Sequence, residues 1–237
     1  LEEAIEDNLK RKGTLIIPTF SLERTQELLY EIDSLVKGNR IPAMPIFLDS
    51  PLAIKLTAVY LKYEKYFNKT AKDIIATGDN LFSFPGLKNT ENTEESKAIL
   101  HVPSPKIVIA GSGMSNGGRI LHHEINYLPH PDNTILLVGY QSVGTLGRSI
   151  EEGVKKLRIM GEEVTLRAHV SVINAYSGHK DSDHLISFVE PMVDKLKKVF
   201  VVMGEPKSSL FLAQRLRDHF GVDVHTPEAM EEVILEC

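Results

Sequence analysis

Cysteine is nearly missing from this sequence: 237 residues contain one, Cys237. A lone thiol excludes an internal disulfide and any cysteine-based zinc site, and it suits a reducing, cytoplasmic setting. Basic charge is also short. Lys and Arg number 27 against 32 Asp and Glu, a net charge of −5. That balance disfavours a broad phosphate-binding surface but leaves room for a narrow groove lined by a few Arg and Lys. No apolar run reaches the roughly 18 residues of a membrane span, so no membrane partner is expected. The opening Leu1-Glu2-Glu3-Ala4 is acidic and helical in character, shows no signal peptide and has no initiator Met. A fragment cut inside a helix is expected. There is no internal repeat and no low-complexity tract. What remains is ordinary for a globular protein, with 42% hydrophobic and 25% charged residues. The length allows one large domain or two small ones.

Short apolar runs alternate with helical patterns. Thr14–Pro18, Pro45–Leu48, Lys106–Ala110 and Thr134–Val138 read as buried strands. Between and after them, Ser21–Lys37, Leu52–Tyr66, Thr93–Leu100, Gly118–Tyr127 and Thr145–Glu152 read as helices, and 80–92 as a loop. This alternation predicts a parallel α/β sheet with helices on both faces. Leu157–Met160 and Glu163–Ser171 read as a β-hairpin turning at Gly161, which is the best boundary in the chain. Beyond it come a helix over Asp181–Val193, a strand over Lys198–Met203 and a helix over Ser208–Phe220. Short strands are expected at Val222–Val224 and Glu232–Leu235.

Two strands run into glycine loops that precede helices: Gly111-Ser112-Gly113 through Arg119, and Gly139-Tyr140 through Arg148. Neither has dinucleotide or Walker spacing. Each is readable as a structural turn or as a ligand loop. In a parallel sheet both face the edge where ligands usually bind. A third cluster, His179-Lys180-Asp181-Ser182-Asp183-His184, has the composition of a metal site. The apolar pattern from Leu185 makes Asp181, Asp183 and His184 the capped, solvated first turn of a helix instead. His179 lies ahead of that cap, in the turn Ala175-Tyr176-Ser177-Gly178-His179, where a side chain can point into a cleft. Of His122 and His123, one is expected on the surface and the other packed. His101, His130, His219 and His225 are expected to be structural.

In order along the chain, Gly13–Leu29, Leu48–Ala53, Gly111–Met114 with Gly117–Arg119, Gly139-Tyr140 with Gly144–Gly147, Ser177–Asp181 and Val201–Pro206 resemble the β-CASP branch of the metallo-β-lactamase superfamily. Bacterial RNase J–like enzymes and the endonuclease of eukaryotic pre-mRNA 3′-end cleavage are similar. The resemblance implies a parallel-sheet β-CASP domain at 13–160, inserted late in a metallo-β-lactamase αββα domain as a lid over its active site. Residues 1–12 would end a helix from the missing part. Residues 161–237 would supply the C-terminal strand–helix segment.

The resemblance implies catalysis by His179, matching the family's second β-CASP site, near the scissile phosphate. It implies substrate contacts at Ser177, Gly178, Gly111, Ser112 and Gly113. Met203 stands at the third site, where RNases carry a metal-binding histidine and DNA-directed relatives a valine. The H-x-H-x-D-H motif, a later metal histidine, a bridging aspartate and the first, acidic β-CASP site would all lie upstream of Leu1. Two zinc ions are therefore expected in the intact parent, with few or no ligands in this segment. The implied activity is zinc-dependent hydrolysis of RNA, with single-stranded RNA as partner, DNA as a second substrate class and a homodimer as an assembly. A non-catalytic scaffold or RNA clamp, favoured by Met203, and a plain nucleotide-binding α/β domain are the alternatives.

Overall fold

Strands whose two faces are both apolar must be covered twice. In the structure, a computed structural model that describes residues 1–235, the strands Thr14–Pro18, Lys106–Ala110 and Thr134–Val138 are buried along their whole length. Cys237 lies outside the described residues. The chain divides into two compact units, one ending at Ser177 and one beginning at Gly178.

The first unit runs α1 (Glu2–Arg11), β1 (Thr14–Pro18), α2 (Arg24–Lys37), β2 (Ile46–Leu48), α3 (Pro51–Lys62) and α4 (Lys69–Ala76). It continues with β3 (Leu87–Asn89), α5 (Thr93–Ala98), β4 (Lys106–Ala110), α6 (Ile120–Tyr127), β5 (Thr134–Val138) and α7 (Leu146–Glu151). It ends in β6 (Lys156–Ile159), β7 (Glu162–Thr165) and β8 (His169–Ile173). Helix starts are written locally. The side chains of Ser50, Asn68 and Thr145 accept from the first turns of α3, α4 and α7, and Asn92 with Glu95 forms a capping box on α5.

Six strands form one sheet in the order β3-β2-β4-β1-β5-β8, every pair parallel. Side chains alternate between its faces. Leu15, Ile17, Ile107, Ile109, Leu136 and Val138 pack with Leu28, Leu29 and Ile32 of α2. Ile16, Val108, Ile135 and Leu137 pack on the other side with Tyr127, Ile150 and the β6–β7 hairpin. Each such buried aliphatic side chain contributes about 1.5–3 kcal/mol. Lys106 begins β4 as a buried cation. Its Nζ donates to the carbonyls of Ile99 (2.7 Å) and Val102 (2.6 Å), and burial pushes its pKa down.

The second unit contains α8 (Ser182–Val189), β9 (Val199–Phe200), α9 (Pro206–Phe220) and β10 (Val224–His225). β9 and β10 pair in parallel, and Ile186, Ala213, Leu216 and Val224 form a small core.

Four local expectations are corrected. The segment 80–92 contains the edge strand β3, which pairs with β2 from Leu87 to Asn89. The second arm of the hairpin ends at Thr165, and β8 is a separate strand parallel to β5, because its apolar residues complete the main sheet. Residues 232–235 form no strand. The strand expected over Lys198–Met203 ends at Phe200, since β10 offers only two residues to pair with.

Candidate functional site

Parallel strands deliver all their C-terminal loops to one edge, and here the glycine loops meet there. The loop after β4 folds on itself: Ser112 N donates to Gly117 O (3.0 Å), Asn116 N to Ser112 Oγ (3.0 Å) and Ile120 N to Gly111 O (3.1 Å). The loop after β5 locks onto it. Gln141 Nε2 donates to Gly113 O (3.2 Å), and Gly147 N donates to Met114 O (3.1 Å). Close approach explains two of the glycines. A Cβ on Gly113 would sit 2.8 Å from the Phe20 ring and 2.9 Å from Phe20 N. At Gly118, φ is +78° and a Cβ would lie 2.4 Å from Gly111 O. Gly111 is looser. Its nearest neighbours for a Cβ are Thr19 O (3.5 Å), Ser21 Oγ (3.6 Å) and Ser50 Oγ (3.8 Å), so hydroxyls gather beside it.

Beside this loop, Asp49 follows β2 with 0% of its side chain exposed. It accepts from Thr90 Oγ1 (2.7 Å), Ser96 Oγ (2.6 Å) and Arg119 Nη1 (2.7 Å), and pairs with His123 Nε2 (2.7 Å). Burial alone would raise its pKa, but the hydrogen bonds from His123, Ser96, Thr90 and Arg119 together outweigh it and hold the carboxyl well below its usual range. Arg119 also donates to Thr90 O and Glu91 O, both at 3.0 Å. This cluster ties β2, the loop around Thr90, α5 and α6 together. Asp49 and Arg119 belong to two of the quoted motifs, but their pairing went unread. The available signal was the i, i+4 spacing of Arg119 and His123 on one helix face. His122 is exposed, as expected for one of the two histidines.

Next along α6, Glu124 is fully buried, bonded to Ser115 Oγ through one oxygen and unpartnered at the other. Burial pushes its pKa up to about 8, the Ser115 hydrogen bond opposing.

β8 leaves the sheet at the same edge as the glycine loops, with Gly139 N donating to Ile173 O (2.7 Å). Tyr176 then anchors the exit on α2 through a short hydrogen bond to Glu31; burial, and after it the Glu31 carboxylate, hold its hydroxyl pKa up. Ser177 follows and closes the first unit, and Gly178 and His179 open the second. His179 is exposed. Asp181 caps α8, accepting from His184 N (2.9 Å) and pairing with His184 Nδ1 (2.7 Å). Asp183 is bound by Arg215 at 2.7 Å. Met203 stands outside any strand, fully exposed, at φ +66°. With Leu185, Val201, Val202 and Phe211 it lines an open apolar groove of about 700 Å³.

Among the described residues, no three His, Cys, Asp or Glu side chains converge to hold a metal. The acids near His179 are already committed to a helix cap and an ion pair, and an exposed thioether is a weak zinc donor.

The family model described as Beta-Casp domain matches residues 25–150, more than half the chain. The chain belongs to the β-CASP family. A second model, described as Zn-dependent metallo-hydrolase RNA specificity domain, matches residues 163–227 of this β-CASP protein. It is 41% identical over 216 residues to Ribonuclease TTHA0252 of Thermus thermophilus, covering 90% of this chain and 48% of that protein. It is 31% identical over 242 residues to Transcription termination factor FttA of Thermococcus kodakarensis, covering 100% and 37%. An RNase J-like protein of Methanocaldococcus jannaschii is 31% identical over 227 residues, covering 96% and 51%. The β-CASP chain thus spans about half the length, or less, of these relatives. Among the described residues, no helix is long and apolar enough to cross a membrane.

Proposed function

We propose that this chain is the lid and C-terminal segment of a cytoplasmic metal-dependent ribonuclease that hydrolyses single-stranded RNA, with domains at 13–160 and 161–237. The observation carrying this reading is that β8, the strand that leads toward Ser177, exits at the sheet edge where the interlocked glycine loops with Gly111, Ser112 and Gly113 stand. The match to an RNA specificity domain and the ribonuclease name of one relative support RNA over DNA. Hydroxyls and loop backbone near Gly111 would steer phosphates without a basic surface, which accords with the net charge of −5. His179, exposed in its turn, would hydrogen-bond the scissile phosphate or move a proton at a non-bridging or leaving oxygen. Two zinc ions held by the parent's other residues would activate water when bound.

In the intact parent, His179→Ala should lower turnover about 10²–10⁴-fold while RNA binding holds. Equal loss of binding with unchanged turnover would make His179 a positioning group, and a change under about threefold would refute the catalytic role. A second reading, a non-catalytic RNA clamp, is favoured by Met203 at the position of the usual ligand. Zinc bound by the parent without turnover of any RNA would select it.

A further inference from the structure

One side of α2 faces an open cavity of about 380 Å³ bounded by α3, the start of α4 and the loop before β3. The volume lies within the range of small-ligand pockets. Glu23, Gln26, Glu27 and Tyr30 line it at i, i+3, i+4 and i+7, a single helical stripe. Opposite them stand Tyr60, Phe67 and Phe82. Phe82 meets Tyr60 edge-on at 6.3 Å and Phe67 edge-on at 6.5 Å, so the wall is a packed aromatic cluster.

The charged side chains at this cavity are both acidic, and they stand among the hydroxyls of Tyr30, Tyr60 and Thr70 and the amide of Asn68. Glu23 and Glu27 are exposed carboxylates. Glu27 has only a loose pairing, 3.8 Å from Arg24 Nε, whose guanidinium Nη1 donates elsewhere, to Val138 O. Gln26 is 3% exposed. Both its N–H groups are used, toward Ser21 O (3.2 Å) and Thr57 Oγ1 (2.9 Å), while its Oε1 has no partner. Glu23 sits at φ +62°, uncommon for a non-glycine residue, at the N-cap of α2. The negative field reaches inside: after burial, the Glu23 charge is the next cause raising the Tyr60 hydroxyl pKa, with Glu27 adding to it.

An aromatic wall facing two carboxylates has one complement, a cation that carries hydrogen-bond donors on an apolar stem. We propose that this cavity binds an alkylammonium group, its stem against Tyr60, Phe67 and Phe82 and its charged head toward Glu23 and Glu27. Among the described residues, no lysine or arginine lines the cavity. The ammonium comes from a free aliphatic polyamine or from a lysine side chain of a bound polypeptide.

The test titrates the full chain at low ionic strength with 1,5-diaminopentane, with Nα-acetyl-lysine methylamide and with neutral 1-pentanol. Affinity is read by calorimetry and location by amide chemical shifts. Both cations should perturb residues 23–30 and 67–82, and pentanol should bind at least about tenfold more weakly than either. The double variant Glu23→Gln/Glu27→Gln alters exposed side chains, so its melting temperature should stay unchanged while cation affinity falls about tenfold or more. Tighter binding of the diamine identifies a polyamine site, and tighter binding of the lysine derivative identifies a side-chain site. Equal affinity for pentanol, unchanged cation affinity in the double variant, or shifts confined to other regions would each overturn the proposal.

Discussion

Two aspartate–histidine pairs in this protein have the same separation. Asp49–His123 and Asp181–His184 both measure 2.7 Å. In the first, the histidine and aspartate side chains are 3% and 0% exposed, and two hydroxyls and a guanidinium complete the shell. In the second, they are 61% and 66% exposed, and the aspartate is a helix cap. Distance alone therefore says little. A buried pair has given up its water and depends on every partner, whereas an exposed pair is screened and replaceable.

The sharpest way to break this comparison is to remove both acids in turn. Asp49→Ala strands Arg119 and His123 beside an empty site, and denaturant titration should find a loss of about 3–5 kcal/mol. Asp181→Ala should lower the unfolding midpoint far less. Equal losses would refute the role assigned to burial. Acid adds a second contrast. Because the folded-state pKa of Asp49 is depressed, its stabilisation is fully present above the unfolded carboxylate's pKa and is lost as pH falls below about 4.

Glu124 has the opposite sign. Its folded-state pKa is raised to about 8, so the folded chain keeps a proton that the unfolded chain has released. Stability should fall as pH rises from about 4.3 to about 8, by an amount on the order of 5 kcal/mol. Glu124→Gln should flatten that part of the profile. A wild-type profile already flat there would show that the Ser115 contact keeps Glu124 ionised.

A smaller contrast separates the two glycine sites. Gly113→Ala should destabilise by about 1–3 kcal/mol, since Phe20 must move. Gly178→Ala should leave melting unchanged, because its Cβ would meet no atom within 4 Å. A loss of RNA binding by Gly178→Ala in the parent, without a loss of stability, would mark that turn as a contact surface. Smallest of all, Met203→His should leave the melting temperature of this chain where it is, with or without zinc, given its full exposure and the lack, among the described residues, of three converging ligand side chains. Zinc stabilisation of that variant would show that a metal site can be assembled within this segment.

The parallel sheet was legible because its strands are apolar on both faces and separated by capped helices. β3 escaped reading because Leu87 is its only apolar residue and it pairs at an edge. β8 was visible as a strand, but periodicity cannot name a partner, and its pairing with β5 depends on the sheet as a whole. The capping role of Asp181 was legible from local rules. The Asp49 cluster was not, because its members come from positions 49, 90, 96, 119 and 123 and meet only after four elements have packed. Met203 was misplaced for a related reason: an apolar run predicts a strand only as long as its neighbour.

The central position of β1 bears on how this chain acquires its structure. β1 lies far upstream of both of its ladder partners: Thr14 pairs with Lys106, and Leu15 with Thr134. Until β4 and β5 have been made, its backbone donors lack their ladder partners. Such non-local pairing slows folding and lengthens the period in which an emerging chain is prone to aggregate. Pulse-labelled hydrogen exchange during refolding should find the β1 amides protected no earlier than those of β5, although β1 precedes every other strand of its sheet along the chain.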